Sequence, residues 1–185
     1  MYVKESFAAS PIDGVTVPPE IEGEWLLIRH PKFPRSVPAI AVFAMYMAPD
    51  SPHVVLLYEH VASTMDFLLI NKPHLGFTVI GDFNSFDVTP LCHGNNLKQI
   101  ILAPTRNNAT LDLVMTNFST QYTEPSLLPP LGRSDHNCIQ WVPRCTLKCG
   151  STYTYKTVVR PMKDSIVLDS LGDGVRPKFG IILAI

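Results

Sequence analysis

Three places in the chain hold side chains that could act together on a phosphate. Asp82 and Asn84 stand in residues 76–84, GFTVIGDFN. Phe77, Thr78, Val79 and Ile80 are β-formers in an apolar run, which reads as a buried strand. Gly81 ends that strand. A rigid strand that stops in Gly-Asp-Phe-Asn holds a carboxylate and an amide at a sheet edge, a good place to grip a metal ion or a phosphate. The Asp82 carboxylate is the candidate to orient or deprotonate an attacking water. The Asn84 amide can donate one way and accept the other. On the tetrapeptide alone, a turn closed by Asp and Asn accounts for both residues equally well.

The second place is Asp112 in LDLVMTN, residues 111–117, and the third is Ser134-Asp135-His136 in RSDHN, residues 133–137. The Ser-Asp-His string is not a hydrolase triad, because such triads are assembled from distant positions. Neighbours on a strand point to opposite faces, so Asp135 and His136 can share a site only at a strand end or bend. Gly132, with Pro129 and Pro130 before it, makes such a bend. Ser134 and Asn137 read as supports. His53, His60, His74 and His93 fall into no metal-ligand spacing.

GDFN, then LDL, then SDH, in this order, resembles the endonuclease/exonuclease/phosphatase superfamily. The nearest likeness is the apurinic-type endonuclease domain of non-LTR (LINE-like) retrotransposons. Tyr46 with Pro49-Asp50-Ser51-Pro52, Gly94-Asn95-Asn96-Leu97-Lys98-Gln99, Pro104-Thr105-Arg106 and Leu128-Pro129-Pro130 extend the likeness over residues 1–143. The resemblance implies a two-sheet α/β sandwich of the DNase I-like type and Mg²⁺-dependent phosphodiester hydrolysis that nicks DNA. It implies catalytic roles for Tyr46, Asp82, Asn84, Asp112 and His136, and a metal-binding role for Asp135. His136 would lie against the phosphate, with Asp112 accepting from its other ring nitrogen and fixing its orientation. Where the family often has a basic residue after the tyrosine, this chain has Met47.

The family also uses an asparagine and a metal-binding glutamate on strands that would precede residue 1. Glu5, Glu20, Glu22 and Glu24 do not stand in the context of that glutamate. The resemblance therefore implies an N-terminally truncated domain at residues 1–143, followed by a connector and irregular tail at 144–185. It implies impaired Mg²⁺ binding, marginal stability, and an activity that is absent or nearly so. Two alternatives stand beside this: a non-catalytic remnant with at most weak nucleic-acid binding, and another phosphoesterase of the same superfamily. DNA is the partner the resemblance implies, and no obligate protein partner is evident.

Composition bounds the rest. The chain has 185 residues, 46% hydrophobic and 17% charged, which fits one domain with a buried core. A net charge of −1 gives no global basic signal, so DNA affinity would need a local face from Lys98, Arg106, Arg133 and Arg144. Cys92, Cys138, Cys145 and Cys149 lack zinc-ligand spacing and read as free thiols of a reduced compartment. Residues 1–10 lack the apolar segment of a signal peptide. No apolar run reads as long enough to span a membrane, so an intracellular protein is expected.

These residues need elements to position them. Strands are expected at residues 1–7, 24–29, 39–47, 77–80, 111–116 and 138–142. A helix should start at Ser51-Pro52, with Ser51 as its cap, and end at Asn71-Lys72-Pro73. Leu57, Val61, Met65 and Leu68 give that helix one apolar stripe. Residues 91–96 read as a loop, 98–102 as a short helix or strand, and 121–124 as a segment pairing near the 111–116 strand. Residues 153–159 could be a strand, and 179–185 a stray strand or a sticky tail. Strand, helix, strand predicts a sheet covered by a helix, an α/β fold.

Overall fold

In the computed structural model, the described residues are 8–29, 33, 36–142, 144 and 181–183. The expected strands at 1–7 and 153–159, the connector at 160–165, and Cys145 and Cys149 lie outside them. The larger sheet has six strands: β1 (Ala8–Pro11), β2 (Glu22–Arg29), β3 (Ala39–Tyr46), β4 (Gly76–Asp82), β5 (Lys98–Gln99) and β6 (Asp112–Thr116). Their order is β1-β2-β3-β4-β6-β5. β3 and β4 run parallel, joined by helix α1 (Val54–Asn71), and the other pairs are antiparallel. A second sheet has three strands, β7 (Ser126–Leu128), β8 (Cys138–Trp141) and β9 (Ile181–Leu183).

Each face of the larger sheet has its own core. On one side, Trp25, Leu27, Phe43, Phe77, Val79 and Met115 meet the α1 stripe of Leu57, Val61, Met65 and Leu68. That is the stripe the four-residue recurrence predicts. On the other side, Ile40, Val42, Ile80 and Val114 meet Ile139 and Trp141 of β8, with Phe118 and Tyr122 filling the corner. Tyr122 stacks on Trp141 at 4.1 Å between ring centroids. Burying one such apolar side chain contributes about 1.5–3 kcal/mol, so these two clusters carry much of the fold's stability. The result is a layered α/β arrangement of two sheets, with α1 on the outer face of the larger one.

Four local expectations need correction. Residues 89–94 form a second helix, α2 (Thr89–Gly94), where a loop was expected. Pro90 suits its first turn, and Leu91 and Cys92 fold into the core. Ser51 does not cap α1. Its hydroxyl accepts the His53 N–H at 3.3 Å, which closes a turn after Asp50 (φ 61°), and the helix starts at Val54 behind His53. Residues 121–124 do not pair with β6. They follow a short 3-10 helix (Ser119–Gln121), and the Thr123 N–H donates to Val142 O beside β8. Finally, α1 is by length and composition apolar enough to cross a membrane. Its buried stripe is the mark of a core helix lying on a sheet.

Candidate functional site

The site begins with register. Glu22 pairs with Tyr46, Tyr46 with Asp82, and Asp82 with Asp112. Paired residues in a sheet share a face, so these four form one row across β2, β3, β4 and β6. The face is the one that packs on the second sheet, since Ile80 and Val114 lie on it two residues from Asp82 and Asp112, and Val42 four residues from Tyr46. The row therefore sits at the mouth between the two sheets. Asp82 and Asp112 are buried in it, while Glu22 is exposed and Tyr46 is 39% exposed.

Gly81 makes the approach to this row possible. A Cβ at that position would lie 1.8 Å from Met45 O, so no side chain fits. β4 can then run close to β3 and deliver Asp82 directly beside Tyr46. The turn that follows is held by the site residues themselves. Asp82 Oδ1 accepts the Asn84 N–H at 2.9 Å, and Asn84 donates its amide to Met47 O at 2.6 Å. Asn84 has φ 51°, in the left-handed region that Asn tolerates. Asn84 thus closes the turn, with its amide donor held by the backbone rather than turned toward a ligand.

His136 arrives from the turn before β8. Its Nδ1 lies 2.8 Å from Asp112 Oδ2, and the two side chains are 10% and 2% exposed. This is the pairing expected from the resemblance, across 24 residues of sequence. Ser134 supports the turn by accepting the His136 N–H on its hydroxyl at 3.1 Å. With Nδ1 engaged, Nε2 is the nitrogen left for other work, and it lies 3.9 Å from Asp135 Oδ1. Asp135 is itself 64% exposed and is bound by Arg106, Nη2 to Oδ2 at 2.6 Å. Asp135 is thus next to the cluster and outside its buried part.

Asp82, Asp112 and His136 each offer a ligand atom within 4.8 Å of the other two. Asp112 Oδ1 is buried and has no hydrogen-bond partner. A buried carboxylate oxygen left unpaired is costly, and a bound cation would relieve it. Burial pushes the Asp82 carboxyl up from its ordinary range, and the nearby Asp112 carboxylate adds to the rise. The Asn84 N–H, His136 and Arg106 oppose it. Two carboxylates and one imidazole suit a divalent cation completed by waters, Mg²⁺ through its oxygens or a softer ion through nitrogen.

Sequence reasoning missed two residues that contact the site, and one that shares its row without touching it. Thr105 is fully buried and ties the site's loops together. Its hydroxyl accepts the N–H groups of Leu111 and Asp112, each at 3.0 Å, and its carbonyl accepts the Asn137 N–H at 2.7 Å. Arg106 appeared only as one member of a basic face. Its partner Asp135 now draws it to the site, whereas Arg144 instead donates to Tyr122 O. Glu22 was set aside, yet it occupies the same row as Asp82, two strands away. The Pro104-Thr105-Arg106 likeness was the one local signal, and it named no role, because each placement depends on strand register or on a contact far along the chain. No protein-family model matches the chain, and no curated protein matches it.

Proposed function

We propose that this chain carries a metal-assisted phosphodiester-hydrolysis site of the retrotransposon endonuclease type, built on a DNase I-like sandwich and directed at DNA. The observation that carries the reading is the buried Asp112–His136 hydrogen bond beside Asp82. Three motifs chosen by resemblance meet within one small volume, although 54 residues separate the first from the last (136 − 82).

The residues divide the work by position. Asp82, at the end of β4, orients the attacking water and receives its proton. Asp112 holds His136 by Nδ1 and so fixes the direction of Nε2, from which the imidazole stabilises charge growing on the phosphate. Tyr46, exposed at the end of β3, presents its hydroxyl at the same edge. Asp82 and the unpaired Oδ1 of Asp112 would hold a divalent cation through carboxylate oxygens, with Asp135, the ligand the resemblance implies, on its exposed side. Such a cation supplies charge neutralisation at the phosphoryl oxygens. Among the described residues no glutamate joins this group. The activity is accordingly proposed to be weak.

A non-catalytic remnant and a phosphomonoesterase of the same superfamily are the competing readings. Incubation with Mg²⁺ and either supercoiled plasmid or an inositol polyphosphate separates them. The proposal predicts slow formation of nicked circles and no release of inorganic phosphate. Phosphate release without nicking would favour the phosphatase. Neither product from a folded sample would favour the remnant.

A further inference from the structure

The Arg106–Asp135 ion pair is built unevenly. Its head groups are 43% and 64% exposed, and exposed pairs of this kind add little to stability. The backbone beneath Arg106 is, by contrast, firmly held. Arg106 N donates to Ala109 O at 3.0 Å, Ala109 N returns to Arg106 O at 2.9 Å, and Thr105 N also donates to Ala109 O at 2.9 Å. Asn107 turns this hairpin at φ 51°. A rigid stem therefore carries a cation whose present partner is cheap to leave.

The charges around it define what that cation is for. Asp82, Asp112 and Asp135 place three carboxylates at the mouth of the site, which would repel an arriving phosphate. Arg106 faces them with a permanent charge, and its field reaches Asp82 as well as Asp135. A guanidinium matches phosphate oxygens with two parallel donors, as an ammonium cannot.

We propose that Arg106 is the phosphate-binding residue of this site, held in reserve by Asp135 and released to a non-bridging phosphate oxygen when a divalent cation takes over the Asp135 carboxylate. This rests on the phosphodiester reading above and deepens it. Arg106 and a cation compete for Asp135, so removing the arginine has opposite effects on the two ligands.

The test is calorimetric titration with Mn²⁺ alone, with inorganic phosphate alone, and with phosphate after Mn²⁺ saturation. The proteins are the full chain, Arg106→Gln, Asp135→Asn and Lys72→Gln as a charge control at an exposed position just after α1. Arg106→Gln should bind Mn²⁺ roughly two- to five-fold more tightly, the scale of an exposed ion pair set free. It should also lose at least about ten-fold in phosphate affinity with Mn²⁺ present, the scale of one charge-assisted contact. Asp135→Asn should bind Mn²⁺ more weakly and phosphate alone more tightly. Lys72→Gln should change neither ligand's affinity by as much. Unchanged phosphate binding in Arg106→Gln would overturn the proposal, as would unchanged metal-free phosphate binding in Asp135→Asn. If Arg106→Gln fails to fold by circular dichroism, the Asp135→Asn titrations decide. Absence of nicking would sink the hydrolysis reading without touching these affinities, so the two failures are distinguishable.

Discussion

Removing His136 should do more than remove a side chain from the site. Its Nδ1 is the partner of Asp112 Oδ2 at 2.8 Å, and Oδ1 of the same carboxylate has no partner at all. His136→Ala would therefore leave a buried carboxylate with both oxygens unpaired. Breaking one side of a buried pair costs about 3–5 kcal/mol, because the remaining charge is uncompensated. The loss of the ring opens a path for water to Oδ2, which places the estimate at the lower end, about 3 kcal/mol. In an Asp112→Asn background the stranded charge is gone. His136→Ala should then cost only about 1 kcal/mol, the net value of an ordinary hydrogen bond. The predicted coupling is the difference, about 2 kcal/mol, in the range seen for contacting residues. Urea unfolding of the four proteins, followed by tryptophan fluorescence, measures it directly. Unchanged m-values would license the comparison. Equal costs of His136→Ala in both backgrounds would refute the reasoning, since Asp112 would then not depend on His136.

Two further predictions concern pH. Burial raises the Asp82 carboxyl, so its contribution to stability is full below the ordinary carboxylate pKa and is lost as pH rises through the folded value. Asp82→Asn should therefore melt higher than wild type at pH 7 without metal, and the gap should close as pH falls below about 4. Paired melts across that range check it, and a gap of constant size would count against a strained carboxylate. His60 accepts the Trp25 indole N–H on Nε2 at 3.0 Å, which requires that nitrogen to be unprotonated, and burial lowers its pKa. This contribution is present above the unfolded value of about 6.5 and is lost as pH falls through the folded one. Acidification from pH 7 to 5 should lower the Tm of wild type more than that of His60→Phe, and equal slopes would contradict the latch between α1 and β2.

The fold was legible where a pattern repeats. Residues 77–80 are an unbroken β-forming run and 39–47 an unbroken apolar one, and both lie in central strands. The α1 stripe recurs at helical spacing and is buried as read. Legibility failed where the decisive contact is not local. Six residues of α2 hold too little periodicity to announce a helix, and their burial comes from a distant core. The cap at Ser51 was misread because a positive φ at Asp50 turned the chain first. Within the site, Asp82, Asp112 and His136 were found by motif, but their meeting depends on register between β4 and β6 and on the turn before β8. Thr105 and Arg106 were read only within the Pro104-Thr105-Arg106 likeness and, for Arg106, a basic face, since their contacts exist only once the hairpin at 105–109 is folded against Asp112 and Asp135. Asp135 was assigned to the metal, and its carboxylate lies at the exposed side of the buried group, paired with Arg106.

The central claim is that Asp82, Asp112 and His136 form one working phosphodiester site. Supercoiled plasmid should be offered to the wild-type chain with Mg²⁺ and with chelator, and to Asp82→Asn and His136→Ala with Mg²⁺. The account predicts slow, Mg²⁺-dependent nicking that falls by at least about 100-fold in each variant, the usual worth of a positioned acid or base. Nicking that persists in both variants, or that is absent from a folded wild-type sample, would contradict it.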